Sequence, residues 1–389
     1  MISSMMSSLC GIAIANSPIP YITGVDFEAI SRVIEQDTGI PTFYIMTNGM
    51  HDYVRGAGLA LLRLAERFVR KNAPIPGGCE EKETNYGFRR KVPESREPEA
   101  KTGLRNHAGR RLRCNILGMT PLDFAAATSL PSLRQKIRAE GIELLSCWAM
   151  GSDGRLLEEI RNSADADVNL VISSVGLPAA RYLQDAFGIP FVAGIPAAGV
   201  EDIFFRAVRR AAETGESLFP FRERRMTAMS KRPDAPVCLI GEPVVMTSLA
   251  ASVECRTGAR THVFAATEDC GPFLGSADAA LRGEEELENA LAKTADGHLD
   301  RAVNGSPAQT GDENPAKTGG GRLAKTADGH PAKAVDGCLV RVIADPCYAD
   351  ILPEGCELVR LPHLAFSGRI FLKEIPDLFR AGTIEALVR

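Results

Sequence analysis

Three apolar runs near the middle of the chain end in residues that could carry chemistry. Ile142–Leu145 leads into Cys147, Trp148 and Ser152, Asn169–Ile172 leads into Ser173 and Ser174, and Pro190–Ala193 leads into Gly194. A thiol at a strand end can bind iron or another soft metal as its thiolate; it can equally be a small apolar core residue. The hydroxyls of Ser152, Ser173 and Ser174 are expected beside it, lining one crevice, and Trp148 is expected to pack. Asn48 and His51 follow another strand at a Gly turn, where binding residues collect. His363, between Pro362 and Leu364, could ligate a metal, relay a proton or be a satisfied structural imidazole. Arg369 could grip a carboxylate or phosphate with its fork, or pair with an acid. Glu242, in a Gly-Glu-Pro turn, could accept a proton or cap the helix that follows. Gly151 and Gly176 are expected at turns with φ > 0.

What must hold these residues is a parallel sheet. The helical patterns Leu156–Arg161 and Pro178–Phe187 alternate with the three apolar runs, which reads as βαβαβ. Ligands of such sheets bind at the carboxyl ends of the strands, where the candidates lie. The same alternation occurs before and after. Residues 1–70 read as a partial amino-terminal α/β unit: a strand over Leu9–Ala15, a helix over Asp26–Gln36, a strand over Thr42–Met46 and a helix over Gly56–Val69. Residues 71–113 are polar and rich in Pro and Gly, and read as a flexible insertion. A central α/β unit then spans 114–230. The last unit, 235–389, opens with PVCLIGEPVVMTSLAASV and is interrupted by a low-complexity insert at 292–337. There LAKTADGH occurs at Leu291–His298 and again at Leu323–His330; a repeat so short and polar buries no face and reads as disordered. The chain is therefore expected to be α/β, with two to three units built on parallel sheets and two disordered insertions.

Bulk properties exclude several classes. The chain has 389 residues, a formal net charge of −4 and ten cysteines. That balance points to neither nucleic acid nor a membrane surface as the main partner. No cysteines are spaced CxxC, so no zinc ribbon or ferredoxin-type run is written locally. There is no G-x-G-x-x-G and no Walker lysine loop, so direct nucleotide binding lacks a motif; G-x-S-x-G and H-E-x-x-H are absent too. The amino terminus does not read as a signal peptide, and no run approaches the ~20 apolar residues of a membrane span. A cytoplasmic protein is expected.

CNILG (Cys114–Gly118), LLEEIRNSADADVNLVISS, YLQDAFGIPFV, GVDFEAISRVIEQDTGIPTFYI and LIGEPVV together resemble the nitrogenase component 1 superfamily. That superfamily includes molybdenum–iron protein subunits, cofactor-assembly scaffolds and dark-operative protochlorophyllide reductase subunits. TNGMH, CWAMGS, ADP and LPHLAFSGR look closest to nitrogenase-like oxidoreductases rather than true nitrogenases. The resemblance implies Rossmann-like units and a second component 1-type subunit in a homo- or heterodimer. It also implies electrons from a separate P-loop iron–sulfur ATPase, and an iron–sulfur or other metal cluster becomes possible. Two positions depart from the family. Alignment on Gly24 and Asp26 puts Pro18 where cluster-holding members carry a cysteine. Ser173 stands where nitrogenase anchors its active-site cluster, and a hydroxyl is a poor substitute for thiolate on iron. Cys10, as a remnant of the family's amino-terminal cysteines, and Cys147 are the metal candidates.

The expectation is thus an oxidoreductase subunit that reduces a substrate or cofactor bound between its domains. His51, His363 and Arg369 are its catalytic candidates, and Asn48, Cys147, Ser152, Ser173 and Ser174 its cofactor-binding ones. The alternatives are a non-catalytic scaffold for a metal cofactor or tetrapyrrole, or an inactive structural partner in a heterodimer. Nitrogen fixation is not expected.

Overall fold

The computed structural model describes residues 10–70, 79–83, 89–93, 110–125, 127–150, 156–223, 236–303, 340–380 and 382–388. In the amino-terminal unit, β1 (Ile12–Ala15) runs parallel to β2 (Thr42–Ile45) with Ile12 opposite Thr42. Between them, extended backbone at Ser17 and a proline at the first helical position start the short helix α1 (Pro18–Ile22). Asp26 caps α2 (Phe27–Thr38) by accepting the Ala29 N–H at 2.8 Å. Asp52 caps α3 (Tyr53–Phe68) in the same way. That cap starts α3 three residues before the apolar pattern does, and so draws Tyr53 onto the helix.

Within the first insertion, β3 (Cys79–Glu83) and β4 (Arg89–Pro93) form an antiparallel pair. The central unit follows with β5 (Arg113–Leu117), β6 (Glu143–Cys147), β7 (Val168–Val171) and β8 (Phe191–Ala193), in the order β6-β5-β7-β8 with every pair parallel. Its helices are α4 (Ser129–Ala139), α5 (Leu156–Arg161), α6 (Leu177–Phe187) and α7 (Glu201–Thr214). Side chains alternate across this sheet. Ile116, Leu170 and Val192 join a core with Leu133 of α4 and Val208 of α7, while Leu117, Val171 and Ala193 join one with Leu61 of α3 and Leu183 of α6. A sheet covered on both faces needs apolar residues in both phases, which is why its strands read as mostly apolar runs, interrupted at Asn115, Ser146 and Asn169.

One polar element crosses that core. Asn115 of β5 donates to Asn169 Oδ1 of β7 at 2.8 Å and to the Ser163 carbonyl at 2.9 Å. Its own Oδ1 accepts from Ser146 Oγ of β6 at 2.8 Å, and the Trp148 indole N–H closes the chain on Ser146 and Ser163. Three adjacent strands are thereby held in one register, because a slip would strand buried polar groups. Trp148 is fully buried as packing.

The carboxyl-terminal unit has β9 (Val237–Gly241), β10 (Thr261–Ala265), β11 (Ala279–Ala280), β12 (Val340–Ala344) and β13 (Cys356–Arg360), all parallel, in the order β11-β10-β9-β12-β13. Helix α8 (Pro243–Thr257) is apolar nearly all round; its Val245, Leu249 and Val253 enter the same core as Ile116 and Leu170, fusing this unit to the central one. Helix α9 (Glu284–Val303) runs well past Leu291 into the stretch read as low complexity, so the first LAKTADGH copy is helical. Glu284, Glu285 and Glu286 in its first turn favour that helix through the backbone dipole, and Leu287 and Leu291 anchor it. The second copy lies outside the described residues. Short helices at Leu364–Ser367 and Thr383–Val388 complete the chain. No helix among the described residues is long and apolar enough to cross a membrane.

Candidate functional site

Asp123 is where the three units meet. It lies in the loop after β5, buried, and its position depends on how closely that loop approaches the one after β7. Gly118 has φ +86°, and a Cβ there would sit 2.8 Å from the Ser173 carbonyl; a Cβ on Gly176 would sit 2.7 Å from the backbone of Leu117. Gly176 itself has φ −76°, so the positive φ expected there is not adopted. Glycine is needed at 176 for space, not for handedness. Gly151 lies outside the described residues.

With the loops this close, Asp123 collects donors from both the central and amino-terminal units. Thr120 Oγ1 donates to Oδ2 at 2.6 Å and Ser173 Oγ to the same oxygen at 3.0 Å. Tyr53 Oη, from α3, donates to Oδ1 at 2.7 Å. The carboxyl-terminal unit contributes His363, whose Nε2 lies 3.3 Å from Oδ1. That contact is within ion-pair reach but out of line for a hydrogen bond, and Nδ1 is buried with no partner. His363 stands at the N-cap position of the helix Leu364–Ser367, its side chain making no capping bond. Its backbone N–H is held by Asp345, which also accepts from Ser367 Oγ and the Cys347 N–H.

Glu242 completes the cluster. It is fully buried and caps α8 by accepting the Val245 N–H at 2.8 Å, while its other oxygen accepts the Ser174 N–H at 2.7 Å. Both roles open for it in the sequence have a physical basis here. It caps a helix, and burial, reinforced by the charge of Asp123, pushes its carboxyl up to about 7. The Tyr53 phenol is held well above its usual range by burial and by Asp123.

The remaining sequence candidates divide. His51 is exposed, with Nδ1 3.1 Å from Glu268 of the carboxyl-terminal unit, and neighbouring Asp52 accepts the Glu268 N–H at 2.7 Å. Asn48 turns inward on its own loop, accepting the Met50 N–H at 3.0 Å. Cys147 points into the core with Ile116, Leu133 and Ile137, and burial pushes its thiol up to about 12. Arg369 is exposed after the helix Leu364–Ser367, and Cys10 is exposed beside β1. Ser152 lies outside the described residues. Ser173, Ser174 and His363 are the candidates brought together. Tyr53, Asp123 and Asp345 were not singled out from the sequence, although Asp123 and Asp345 follow apolar strands and Tyr53 opens a helix after one. A cavity of about 1220 Å³ lies elsewhere, along the open edge of β6, lined by Arg111, Arg134 and Arg138. It does not include the Asp123 cluster.

The donor set does not fit a metal cluster. Ser173 presents a neutral hydroxyl already given to Asp123, and the Cys147 thiol is protonated and faces the core. Among the described residues no three His, Cys, Asp or Glu side chains are grouped as ligands. What the arrangement can do is hold and move protons. It has a carboxylate with three hydroxyl donors, an imidazole with a free nitrogen, and a second carboxyl that titrates near neutrality.

A family model described as nitrogenase component 1 type oxidoreductase matches residues 3–295. A light-independent protochlorophyllide reductase subunit from Chlorobium phaeobacteroides (strain BS1) is 35% identical over 85 residues, 21% of this chain and 15% of that protein. Its counterpart in Methylobacterium radiotolerans is 38% identical over 89 residues, 23% of this chain and 16% of that protein. Solved structures described as nitrogenase Cp1 at pH 6.5 and at pH 5 are each 13% identical, with TM-scores of 0.40 and 0.39. They cover 66% and 73% of this chain and 45% and 53% of their own. The chain thus matches less than one fifth of the length of these curated relatives and about half that of the structures.

Proposed function

Because the chain belongs to the nitrogenase component 1 type oxidoreductase family, we propose that it serves as a redox subunit that handles protons for a reduction at the junction of its three units. Electrons reach that junction from a separate P-loop iron–sulfur ATPase, and a second component 1-type subunit completes the assembly. Adding electrons to a neutral substrate or cofactor requires protons in matching number. Asp123 and His363 hold the proton to be delivered, Tyr53 orients Asp123, and Glu242 stands behind them as a buried acid that can reload the pair. His51 and Glu268 face solvent beside this path. The observation that carries the reading is the convergence of Tyr53 from the amino-terminal unit and His363 from the carboxyl-terminal unit on the buried carboxylate of Asp123 in the central one. The relatives described as protochlorophyllide reductase subunits make a conjugated tetrapyrrole a suitable first substrate to test.

A second reading has its own support. Ser173 in place of a thiolate, and the closed packing around Asp123, favour a binding or structural subunit that carries no redox step of its own. One experiment separates the two. The full chain is purified anaerobically with a P-loop iron–sulfur ATPase and a component 1-type partner, and ATP-dependent reduction is followed in wild type, Asp123→Asn and His363→Gln. The redox reading expects the variants to assemble normally and to lose at least tenfold in rate. Equal rates in all three, or reduction carried entirely by the partner, would leave the structural reading.

A further inference from the structure

The edge of the central sheet carries positive charge that the fold leaves unanswered. Several arginines around this unit are paired: Arg110 with Asp167, Arg161 with Glu158 and Arg209 with Glu140. Arg111, Arg134 and Arg138 differ. They line the cavity of about 1220 Å³ beside β6, and among the described residues none of them has an acid within ion-pair reach. The Nε of Arg134 is buried and has no hydrogen-bond partner at all. Two acids share the wall, Glu143 and Glu159, but neither comes within ion-pair reach of these three guanidiniums.

For the chain alone this placement is unfavourable. Arg134 and Arg138 stand one turn apart on α4, and like charges at that spacing destabilise a helix. The backbone dipole offsets the cost at Arg138, in the last turn, but Arg134 lies too far from the helix end to benefit. A buried N–H without an acceptor adds a further cost. Much of the remaining wall is apolar, with Leu130 on α4 and Ile142, Leu144 and Leu145 in and before the edge strand. Cationic forks over an apolar wall are the two halves of a site for an organic anion.

We propose that this cavity binds a small organic molecule bearing two or more phosphate or carboxylate groups. Half-buried Arg134 takes one anionic group and exposed Arg111 and Arg138 take the others, each fork able to bond its partner bidentately. The carbon body of the ligand lies against Leu130, Leu144 and Leu145. Size argues for such a body, because pockets of ~300–1,000 Å³ already hold drug-sized ligands and a single inorganic ion would leave most of this one empty. The site is separate from the Asp123 cluster, and binding there does not depend on any redox chemistry.

Isothermal titration of the full chain with ADP and with citrate tests it, one probe presenting phosphates on a larger body and the other carboxylates. Saturable one-to-one binding of at least one probe is expected, with Kd below ~1 mM, and the tighter probe assigns the anionic group. Arg134→Gln and Arg138→Gln should each weaken that binding ~tenfold or more. Arg181→Gln, at an exposed position on α6, should leave it unchanged, since α6 packs on the opposite face of the sheet. Circular dichroism and thermal midpoint of the unliganded variants should stay near wild type, because neither guanidinium pairs with an acid of the chain. Should Arg134→Gln fail to fold, exposed Arg111→Gln takes its place in the comparison. The proposal is overturned if neither probe binds below ~1 mM, if binding survives the cavity substitutions, or if Arg181→Gln weakens it equally. None of these outcomes touches the Asp123→Asn result, so the two proposals fail separately.

Discussion

Tyr53 Oη donates to Asp123 Oδ1 at 2.7 Å, joining the first turn of a helix in the amino-terminal unit to a loop of the central one. The tyrosine is half-buried and the carboxylate buried, and the bond adds a polar link between two units that also meet through the Arg70 N–H on the Arg161 carbonyl and through α3 and α6. A hydrogen bond from a neutral donor to a carboxylate contributes about 1.5–3 kcal/mol. Tyr53→Phe keeps the ring that faces His363 and Phe366 and removes only the hydroxyl. Denaturant unfolding should lose about 2 kcal/mol. On the proposed redox reading, ATP-dependent reduction by the complex should also slow as the Asp123 carboxylate loses a restraint. A variant as stable as wild type would show that the bond does not form in solution.

Glu242 makes stability depend on pH in an unusual direction. Its carboxyl is raised from 4.5 to about 7 in the folded chain, so the folded state binds this proton more tightly than the unfolded one. Its contribution is fully present below about 4.5, falls as pH rises, and is lost once pH passes about 7. Unfolding free energy measured from pH 5 to pH 8 should therefore carry a downward slope from this group. Glu242→Gln should flatten the slope, at the cost of one of its two accepted N–H bonds. Parallel slopes in wild type and variant would rule out a raised carboxyl at this position.

Much of this fold was legible in the chain because doubly covered parallel strands leave a plain trace. Val168–Val171, apart from Asn169, and Phe191–Ala193 are apolar in both phases, and the helix between them keeps its period. The site was less legible. Ser173 and His363 stood out by type and by position at strand ends, but the residue joining them, Asp123, sits six positions beyond its strand in a loop with no motif. Tyr53 was hidden because α3 is started by the Asp52 cap and not by its apolar stripe. Cys147 misdirects for the opposite reason. It is a chemically suggestive residue at a strand end, yet its alternation phase on β6 places it in the core with Ile116, and nothing in a single sequence fixes that phase when both faces are apolar. Gly176 was legible as essential but for the wrong reason, since contact across two loops is not written in local pattern.

The polar chain through the central core gives a third test. Asn115→Ala removes the centre of the network: Asn169 Oδ1 loses its donor in a dry interior, while Ser146 Oγ keeps Trp148 and Ser163, and the Ser163 carbonyl keeps the Ala166 N–H. A stranded buried group costs about 1–3 kcal/mol, so the variant should lose about 2 kcal/mol. Asn115→Asp offers a milder probe, since it keeps the acceptor for Ser146 but replaces the donor. Its deficit should narrow at low pH, where the acid is protonated and can donate to Asn169. An Asn115→Ala chain of normal stability would mean that water enters this part of the core.

The thiols should separate by burial. Cys114, Cys147 and Cys238 are buried and Cys255 is exposed; burial pushes Cys147 and Cys238 up to about 12. The thiolate is the reactive form, and an ordinary thiol ionises near ~8.5. At pH 8 a thiol at about 12 is ionised only ~10⁻⁴ of the time, before its lack of access is counted. In native chain treated with iodoacetamide, peptide mass spectrometry should find exposed Cys10 and Cys255 alkylated well before Cys147, which should be on the order of 10³-fold slower or modified only through unfolding. The same protonation opposes iron binding, which needs the thiolate. Labelling of Cys147 at the rate of Cys255 would overturn the burial argument and return that thiol to the ligand candidates.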